Sequence, residues 1–232
     1  MVDMPAPSFL RNRYWVLRHG KSIPNEKGLI VSSLENGMLA EYQLASEGVK
    51  QAQLAGELFQ KELNNVGMPL ESVRICYSPF ARTAHTAKIV ASVLNFPFEG
   101  PQCKMIEDIR ERYFGPRFEL ESHDRYQEIW AVDEKDPFER PVGGESAADV
   151  AARLVKAMDK MEMEFQRCAI LVVSHGDPLQ MLQTLLIAAA SKELGASDCN
   201  DLRSRMEAVK VPSVLSTHRK FALLTGELRA VA

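Results

Sequence analysis

"YWVLRHGKSIPN", residues 14–25, decides how the rest of the chain is read. An apolar run climbs into Arg18, His19 and Gly20, and the chain then turns polar. Two cationic donors packed side by side at the end of a buried strand repel unless an anion lies between them. The rest of the chain must therefore be searched for the remainder of an anion site, and for a fold that gathers it.

Strand-like and helix-like segments alternate outward from this stretch. "YWVL" reads as a short buried strand. "ASEGVKQAQLAGELFQKEL" carries Val49, Ala52, Leu54, Ala55, Leu58 and Phe59 at helical spacing, with Ser46 as the expected N-cap. "VRICY" is a second strand. It runs into the helix of "SPFARTAHTAKIVASVL", where Ser78 is the expected N-cap and Pro79 suits the first helical position. Residues 98–140 lack a period and read as a strand followed by loops and short helical pieces. "SAADVAARLVKAMDKMEMEF" is an amphipathic helix opened by a capping box of Ser146 and Asp149. "AILVVS" is apolar on both faces, as in a parallel sheet, and "DPLQMLQTLLIAAA" follows as a mostly buried helix. The tail "SVLSTHRKFALLTGELRAV" suggests one or two closing strands. This alternation implies an α/β fold, a three-layer α/β/α sandwich with a mostly parallel central sheet.

The chain has 232 residues, 46% hydrophobic and 25% charged, enough for one substantial core. We therefore expect a single domain over 1–232, with residues 1–12 as a loose lead-in. A net charge of −3 argues against nucleic acid as a partner. No apolar run approaches the roughly 20 residues that span a bilayer, so no membrane partner is expected. The N-terminus lacks the apolar core of a secretory signal. Cys76, Cys103, Cys168 and Cys199 are widely spaced, and neither CxxC nor HExxH occurs. A reduced, cytoplasmic protein without metal or other cofactor is the expectation; the sequence leaves its oligomeric state open.

Three predicted strand ends carry polar groups. The first ends at Arg18-His19-Gly20, the second runs into a helix bearing Arg82, and "AILVVS" ends at His175-Gly176 where a helix starts. In parallel sheets ligands bind beyond the carboxyl ends of the strands. Helix N-termini there present free N–H groups and a positive dipole end. Arg18, His19, Arg82 and His175 are thus placed to converge on one phosphate-sized anion.

At these residues the chain resembles the histidine phosphatase superfamily, on its phosphoglycerate mutase-like branch. "LRHGKSIPN" is similar to the family's opening signature and "LASEGVKQAQLAG" to its first helix. "YSPFARTAHTA" resembles the segment with the second phosphate-binding Arg, and "IRERYFG" the segment with the acidic proton donor. "PVGGES" and "LVVSHGDPL" match the helix start and second His-Gly, all in family order over about residues 14–182. The resemblance implies that His19 is the nucleophile that becomes phosphorylated. Arg18, Arg82 and His175 would form the phosphate pocket beside the Gly176 backbone, with Ser22 and Asn25 as lesser pocket residues. Glu111 would be the general acid and base, and Arg112 a substrate contact.

These roles suit the chemistry. Positioned cations stabilise charge spread over a transferring phosphoryl group and do part of a metal's work. A carboxylic acid can protonate the leaving alkoxide and then, as carboxylate, activate water. The resemblance implies a metal-independent phosphatase acting on a small phosphorylated metabolite. Phosphoglycerate mutase-type transfer is the first alternative; it is disfavoured because only a short stretch separates Glu111 from "GGES". A protein phosphatase is another. A non-catalytic binding module is disfavoured because every key residue is kept.

Some positions depart from the family pattern. "HGDPLQ" places Asp177 after the second His-Gly, where a helix N-cap or first-turn role is expected. "FGPRFE" lacks the Trp-Glu-Gly of many relatives. His85, His123 and His218 match no motif and are expected to be structural or exposed. Specificity should lie in loops 26–42 and 112–142, with Arg110, Arg112 and Arg117 available for a second acidic group on a doubly anionic substrate.

Overall fold

The computed structural model describes residues 9–191 and 201–231. Strand β1 (Arg13–Arg18) leads through the short helices α1 (Ile23–Lys27) and α2 (Leu34–Gly37) to helix α3 (Ser46–Asn65). Strand β2 (Val73–Tyr77), helix α4 (Ala81–Val93) and strand β3 (Cys103–Met105) follow. Loops and 3-10 turns precede α5 (Tyr126–Lys135), after which come α6 (Ala147–Glu164), β4 (Ala169–Ser174) and α7 (Gly176–Ala190). The chain closes with α8 (Leu202–Ala208), α9 (Pro212–Leu215) and β5 (Leu228–Ala230).

The sheet order is β3-β2-β4-β1-β5, parallel except for the antiparallel edge β5. Alternation along the strands sends their side chains into two cores. Tyr14, Val16, Ile170 and Val172 pack with α6 and α7 on one face. Trp15, Leu17, Leu171 and Val173 pack with α3 and α4 on the other. All six residues of β4 are buried, which is why that strand shows no polar alternation. Each fully buried aliphatic side chain there contributes about 1.5–3 kcal/mol. The expected three-layer sandwich is the one observed.

Several local expectations are corrected. The N-cap of α3 is Ala45, without a side-chain cap, not Ser46. Helix α4 begins at Ala81 with Phe80 at its N-cap, so Ser78 does not cap it and Pro79 lies outside. Of the one or two closing strands expected in the tail, one is present, and much of 212–221 is helical turns. Helix α8 has no counterpart in the sequence reading. The lead-in is not loose from residue 9 onward: Asn12 Nδ2 donates to Glu162 Oε1 at 2.8 Å and to the Phe165 carbonyl at 2.9 Å. The capping box of Ser146 and Asp149 is present as expected. Cys76 and Cys168 are buried free thiols, and burial pushes the Cys76 thiol up to about 12. Cys199 lies outside the described residues. Among the described residues, no helix is long and apolar enough to cross a membrane.

Strands β2, β4 and β1 are neighbours, with Arg18 paired to Ser174 and Tyr77 to Val173. Their carboxyl ends deliver Ser78, His175 and His19 to one rim. The approach is tight: a Cβ on Gly20 would come within 2.3 Å of the Gly48 carbonyl oxygen, so a side chain there would push α3 off the strand end.

Candidate active site

A cavity of about 460 Å³ opens at this rim. Arg18, His19, Ser22, Asn25, Arg82, Glu111 and Gly176 line it, joined by residues that sequence reasoning did not assign.

His19 is buried at the base. Its Nδ1 lies 2.7 Å from the Gly20 carbonyl, which can only accept, so Nδ1 carries the proton. Nε2 is then a lone pair, and it accepts from Arg82 Nε at 3.1 Å. Burial, then Arg82 and Arg18, hold the imidazole well below the usual histidine range. His19 therefore presents a neutral imidazole whose Nε2 carries the lone pair.

His175 directly follows β4 and stands as the N-cap residue of α7, edge-on to His19 with ring centroids 5.3 Å apart. Its Nε2 lies 2.7 Å from Ser78 Oγ. Ser78 is fully buried, and its Oγ already accepts from Phe80 N at 3.4 Å. Among the described residues, the hydroxyl hydrogen has His175 Nε2 as its one acceptor. Ser78 thus donates, Nε2 accepts, and the His175 proton sits on Nδ1. That Nδ1 lies 3.7 Å from Glu111 Oε2. Burial and the nearby arginines keep this ring neutral too.

Arg18 Nη1 donates to the Leu223 carbonyl at 2.7 Å, and Arg82 Nη2 donates to the Val31 carbonyl at 3.0 Å. Arg18 Nε, Arg82 Nη1 and His175 Nδ1 are buried with no hydrogen-bond partner among the described residues. Buried donors left over after such anchoring call for an anion. A Cβ at Gly176 would sit 3.7 Å from Arg18 Cζ, so glycine keeps the space beside that guanidinium open. Ser22 and Asn25 cap each other at the start of α1, through a 3.3 Å bond from Asn25 N to Ser22 Oγ and a 3.0 Å bond from Ser22 N to Asn25 Oδ1.

Glu111 lies 3.5 Å from Arg82 Nη2. Burial pushes its carboxyl up to about 7, against the pull of Arg82 and with help from Asp177. Arg153 holds this segment by donating to the carbonyls of Asp108, Arg110 and Glu111 at 2.8, 2.9 and 3.2 Å. Its own partner is Glu145 of the "GGES" motif, at 2.9 Å. Sequence reasoning missed Arg153, which looks like any charged residue of an amphipathic helix.

Arg112 is corrected. It is 1% exposed and does not line the cavity. Its guanidinium pairs with both oxygens of Asp133, at 2.6 and 2.9 Å, and with Asp177 at 3.3 Å. Two carboxylates compensate a cation that burial would otherwise make costly. Asp177 sits in the first turn of α7, as expected, and also borders the cavity. His218 is buried between Asp133 and Gln180, each 3.3 Å away. His123, expected to be structural or exposed, lines the cavity with Phe114, Tyr126 and Trp130. Among the described residues, no three His, Cys, Asp or Glu side chains form a group that could hold a metal.

Two histidines, two arginines and a carboxyl raised to about 7 are gathered at the carboxyl rim of a parallel sheet, with buried donors left over to receive an anion. The sequence profile described as the histidine phosphatase superfamily (branch 1) matches residues 14–206, and the chain belongs to that superfamily. It is a histidine-phosphatase-type hydrolase of phosphate monoesters. A metal-independent phosphoserine phosphatase of Arabidopsis thaliana is 26% identical over 189 residues, which are 78% of this chain and 72% of the relative. Solved structures share the fold at lower identity. A mycobacterial glucosyl-3-phosphoglycerate phosphatase matches with a TM-score of 0.57 and 21% identity, covering 75% of this chain and 78% of that one. A phosphoserine phosphatase variant of Entamoeba histolytica in complex with phosphoserine matches with a TM-score of 0.63 and 17% identity, covering 94% and 88%.

Proposed function

We propose that this chain is a cytoplasmic, metal-independent phosphatase that hydrolyses small phosphorylated metabolites in two steps through His19. The observation that carries the reading is the His19 Nε2 lone pair, 3.1 Å from Arg82 Nε, with Glu111 3.5 Å from the same guanidinium. The unpartnered donors of Arg18, Arg82 and His175 receive the phosphoryl oxygens. Nε2 attacks phosphorus, the ester P–O bond breaks, and the alkoxide leaves with the Glu111 proton. The imidazolium of phosphohistidine is stabilised by its Nδ1–H donating to the Gly20 carbonyl. Water then gives its proton to the Glu111 carboxylate and attacks phosphorus. The P–N bond breaks, inorganic phosphate departs, and Nε2 recovers its electron pair. A carboxyl poised near 7 serves both steps at neutral pH.

Metal independence rests on the two arginines that neutralise phosphoryl charge, and it agrees with the name of the Arabidopsis relative. The test is phosphate release from a panel of phosphorylated sugars, acids, nucleotides and phosphopeptides, with and without excess chelator. Release should survive chelator, and vanadate should inhibit. A requirement for an added divalent metal would overturn the reading. In a second arm, 3-phosphoglycerate is supplied with a bisphosphoglycerate primer. Phosphate release should outpace isomerisation; rapid conversion to 2-phosphoglycerate with little free phosphate would make the chain a mutase on the same His19 chemistry.

A further inference from the structure

We propose that Glu119 is a positioning residue for Arg82. Its carboxylate clamps residues 32–36, and the backbone at both ends of that segment holds the guanidinium that meets the phosphoryl group. The proposal rests on the phosphatase reading above and deepens it, since Glu119 itself does not line the cavity.

Five donors converge on this one carboxylate. Ser32 N and Ser33 N donate to Oε2 at 2.9 and 3.0 Å, and Ser32 Oγ donates to the same oxygen at 2.7 Å. Ser33 Oγ and Asn36 Nδ2 donate to Oε1 at 2.9 and 2.8 Å. The two hydroxyls also accept, from Phe114 N at 3.4 Å and Asn36 N at 3.2 Å, so each turns its own proton toward Glu119. Five donors need a group that only accepts, which is the ionised carboxylate. Burial alone would raise this carboxyl, but the bonds from Asn36, Ser32 and Ser33 outweigh it and hold the group below the usual carboxylate range.

The chain around Glu119 is laced to the segment it clamps. Ile30 N donates to the Glu121 carbonyl at 2.8 Å, and Leu120 N donates to the Ile30 carbonyl at 2.8 Å. Between them Leu120 takes a φ of 63°, a left-handed conformation that leucine seldom adopts. Such a conformation persists where its surroundings over-determine it.

The clamped segment meets Arg82 at two places. Just before it, the Val31 carbonyl accepts from Arg82 Nη2 at 3.0 Å. Just after it, Gly37 lies so close to the Phe80 ring that a Cβ there would run into the ring. The Arg82 guanidinium sits over that same ring, with Cζ 4.8 Å from its centroid. A guanidinium is a rigid planar fork, so fixing Nε and Nη2 also fixes where the unpartnered Nη1 points. When a phosphoryl group displaces Arg82 Nε from His19 Nε2, the Val31 carbonyl and Glu111 are the anchors that remain. The orientation of Arg82 then depends on the segment that Glu119 holds.

The test follows p-nitrophenolate release from p-nitrophenyl phosphate in single turnover with excess enzyme, so that slow variants are still read. The full chain is compared with Glu119→Gln, Arg82→Lys and the double variant, and thermal melts show whether each is folded. We expect Glu119→Gln to slow release by about tenfold to a hundredfold, the scale of a displaced catalytic group. In the Arg82→Lys background the same change should cost less than about threefold, because Glu119 acts through a fork that is no longer there. A folded Glu119→Gln with the parental rate, or an equal loss in both backgrounds, would overturn the proposal and leave the phosphatase reading standing. If Glu119→Gln melts below the assay temperature, Glu119→Asp, which keeps the charge and shortens the reach, is read by the same two criteria. Failure of both variants to fold would make Glu119 a residue of stability alone and overturn the proposal. No release by the parent chain would overturn the phosphatase reading as well.

Discussion

Ser78 Oγ lies 2.7 Å from Nε2 of His175, and both side chains are shut away from solvent. The hydroxyl holds the imidazole in the tautomer whose Nδ1–H faces the anion site. Ser78→Ala should therefore leave His175 in place behind the cavity wall but free its proton to occupy either nitrogen. We expect kcat to fall by about tenfold to a hundredfold, up to the cost of losing one preorganised donor outright. Ser78→Thr should recover most of the rate. Nitrogen NMR of labelled His175 checks the cause: Nδ1–H in the parent, a mixture in Ser78→Ala. A variant with unaltered tautomer and unaltered kcat would remove Ser78 from the mechanism.

Phosphorylation should fall on one particular nitrogen of His19. Nδ1 is committed to the Gly20 carbonyl at 2.7 Å, so the lone pair that can attack phosphorus is on Nε2, where Arg82 Nε donates at 3.1 Å until a phosphoryl group takes its place. Trapping the intermediate by rapid quench should give an acid-labile, base-stable label on His19, identified by phosphorus NMR as the Nε2 adduct. His19→Ala should abolish both label and turnover. Label on Nδ1, or on another residue, would contradict the hydrogen-bond assignment.

The Glu111 carboxyl, pushed up to about 7 by burial, links activity to pH in a defined direction. Phosphorylation of His19 needs the protonated acid, so kcat/KM should decline above about pH 7. Glu111→Gln should lose this alkaline limb and about 10²–10⁴ in rate on alkyl phosphates. Aryl phosphates with good leaving groups should suffer much less in single-turnover phosphorylation. Equal losses on both substrate types would point to another acid.

The same shift affects stability. A carboxyl with a native pKa above its unfolded value binds its proton more tightly when folded. Its stabilising contribution is complete below about pH 4.5 and is lost as pH rises toward 7. The loss is roughly 3 kcal/mol for a shift of this size. His19 and His175 act oppositely: both are depressed, so their contribution is lost as pH falls below their unfolded value near 6.5. Glu111→Gln separates the two effects. Relative to the parent, its denaturation midpoint should improve between pH 5 and pH 8. No relative improvement would mean Glu111 titrates in its ordinary range.

Arg112 and Asp133 form a pair with both side chains 1% exposed. Removing either partner alone should cost about 3–5 kcal/mol, because it strands a buried charge. In a double-mutant cycle, Arg112→Met with Asp133→Leu should be more stable than either single variant. Additive losses measured by urea unfolding would show that the two do not depend on each other.

The sheet, its mostly parallel sense and its two covering layers were legible in the sequence, because strand and helix periods are properties of consecutive residues. So was the set Arg18, His19, Arg82, His175 and Glu111. The first four sit at element ends, which topology brings together; Glu111, in a loop, was legible only through the family resemblance of "IRERYFG". Tertiary structure decided what local pattern does not record. Ser78 has the residue type of an N-cap and sits before a helix, yet a hydroxyl takes the best buried partner within reach, and that partner is His175, 97 residues away in sequence. Arg112 stands beside Glu111 like a substrate ligand, but successive side chains point in different directions, and Asp133 was there to receive it. His123, Tyr126 and Trp130 come from a stretch with no clear period, so nothing in their spacing marks them as cavity wall. The chain's own residues thus determined the chemistry at the strand ends. Which side chains surround that chemistry was decided by long-range packing, where charge compensation and burial are settled between residues distant in sequence.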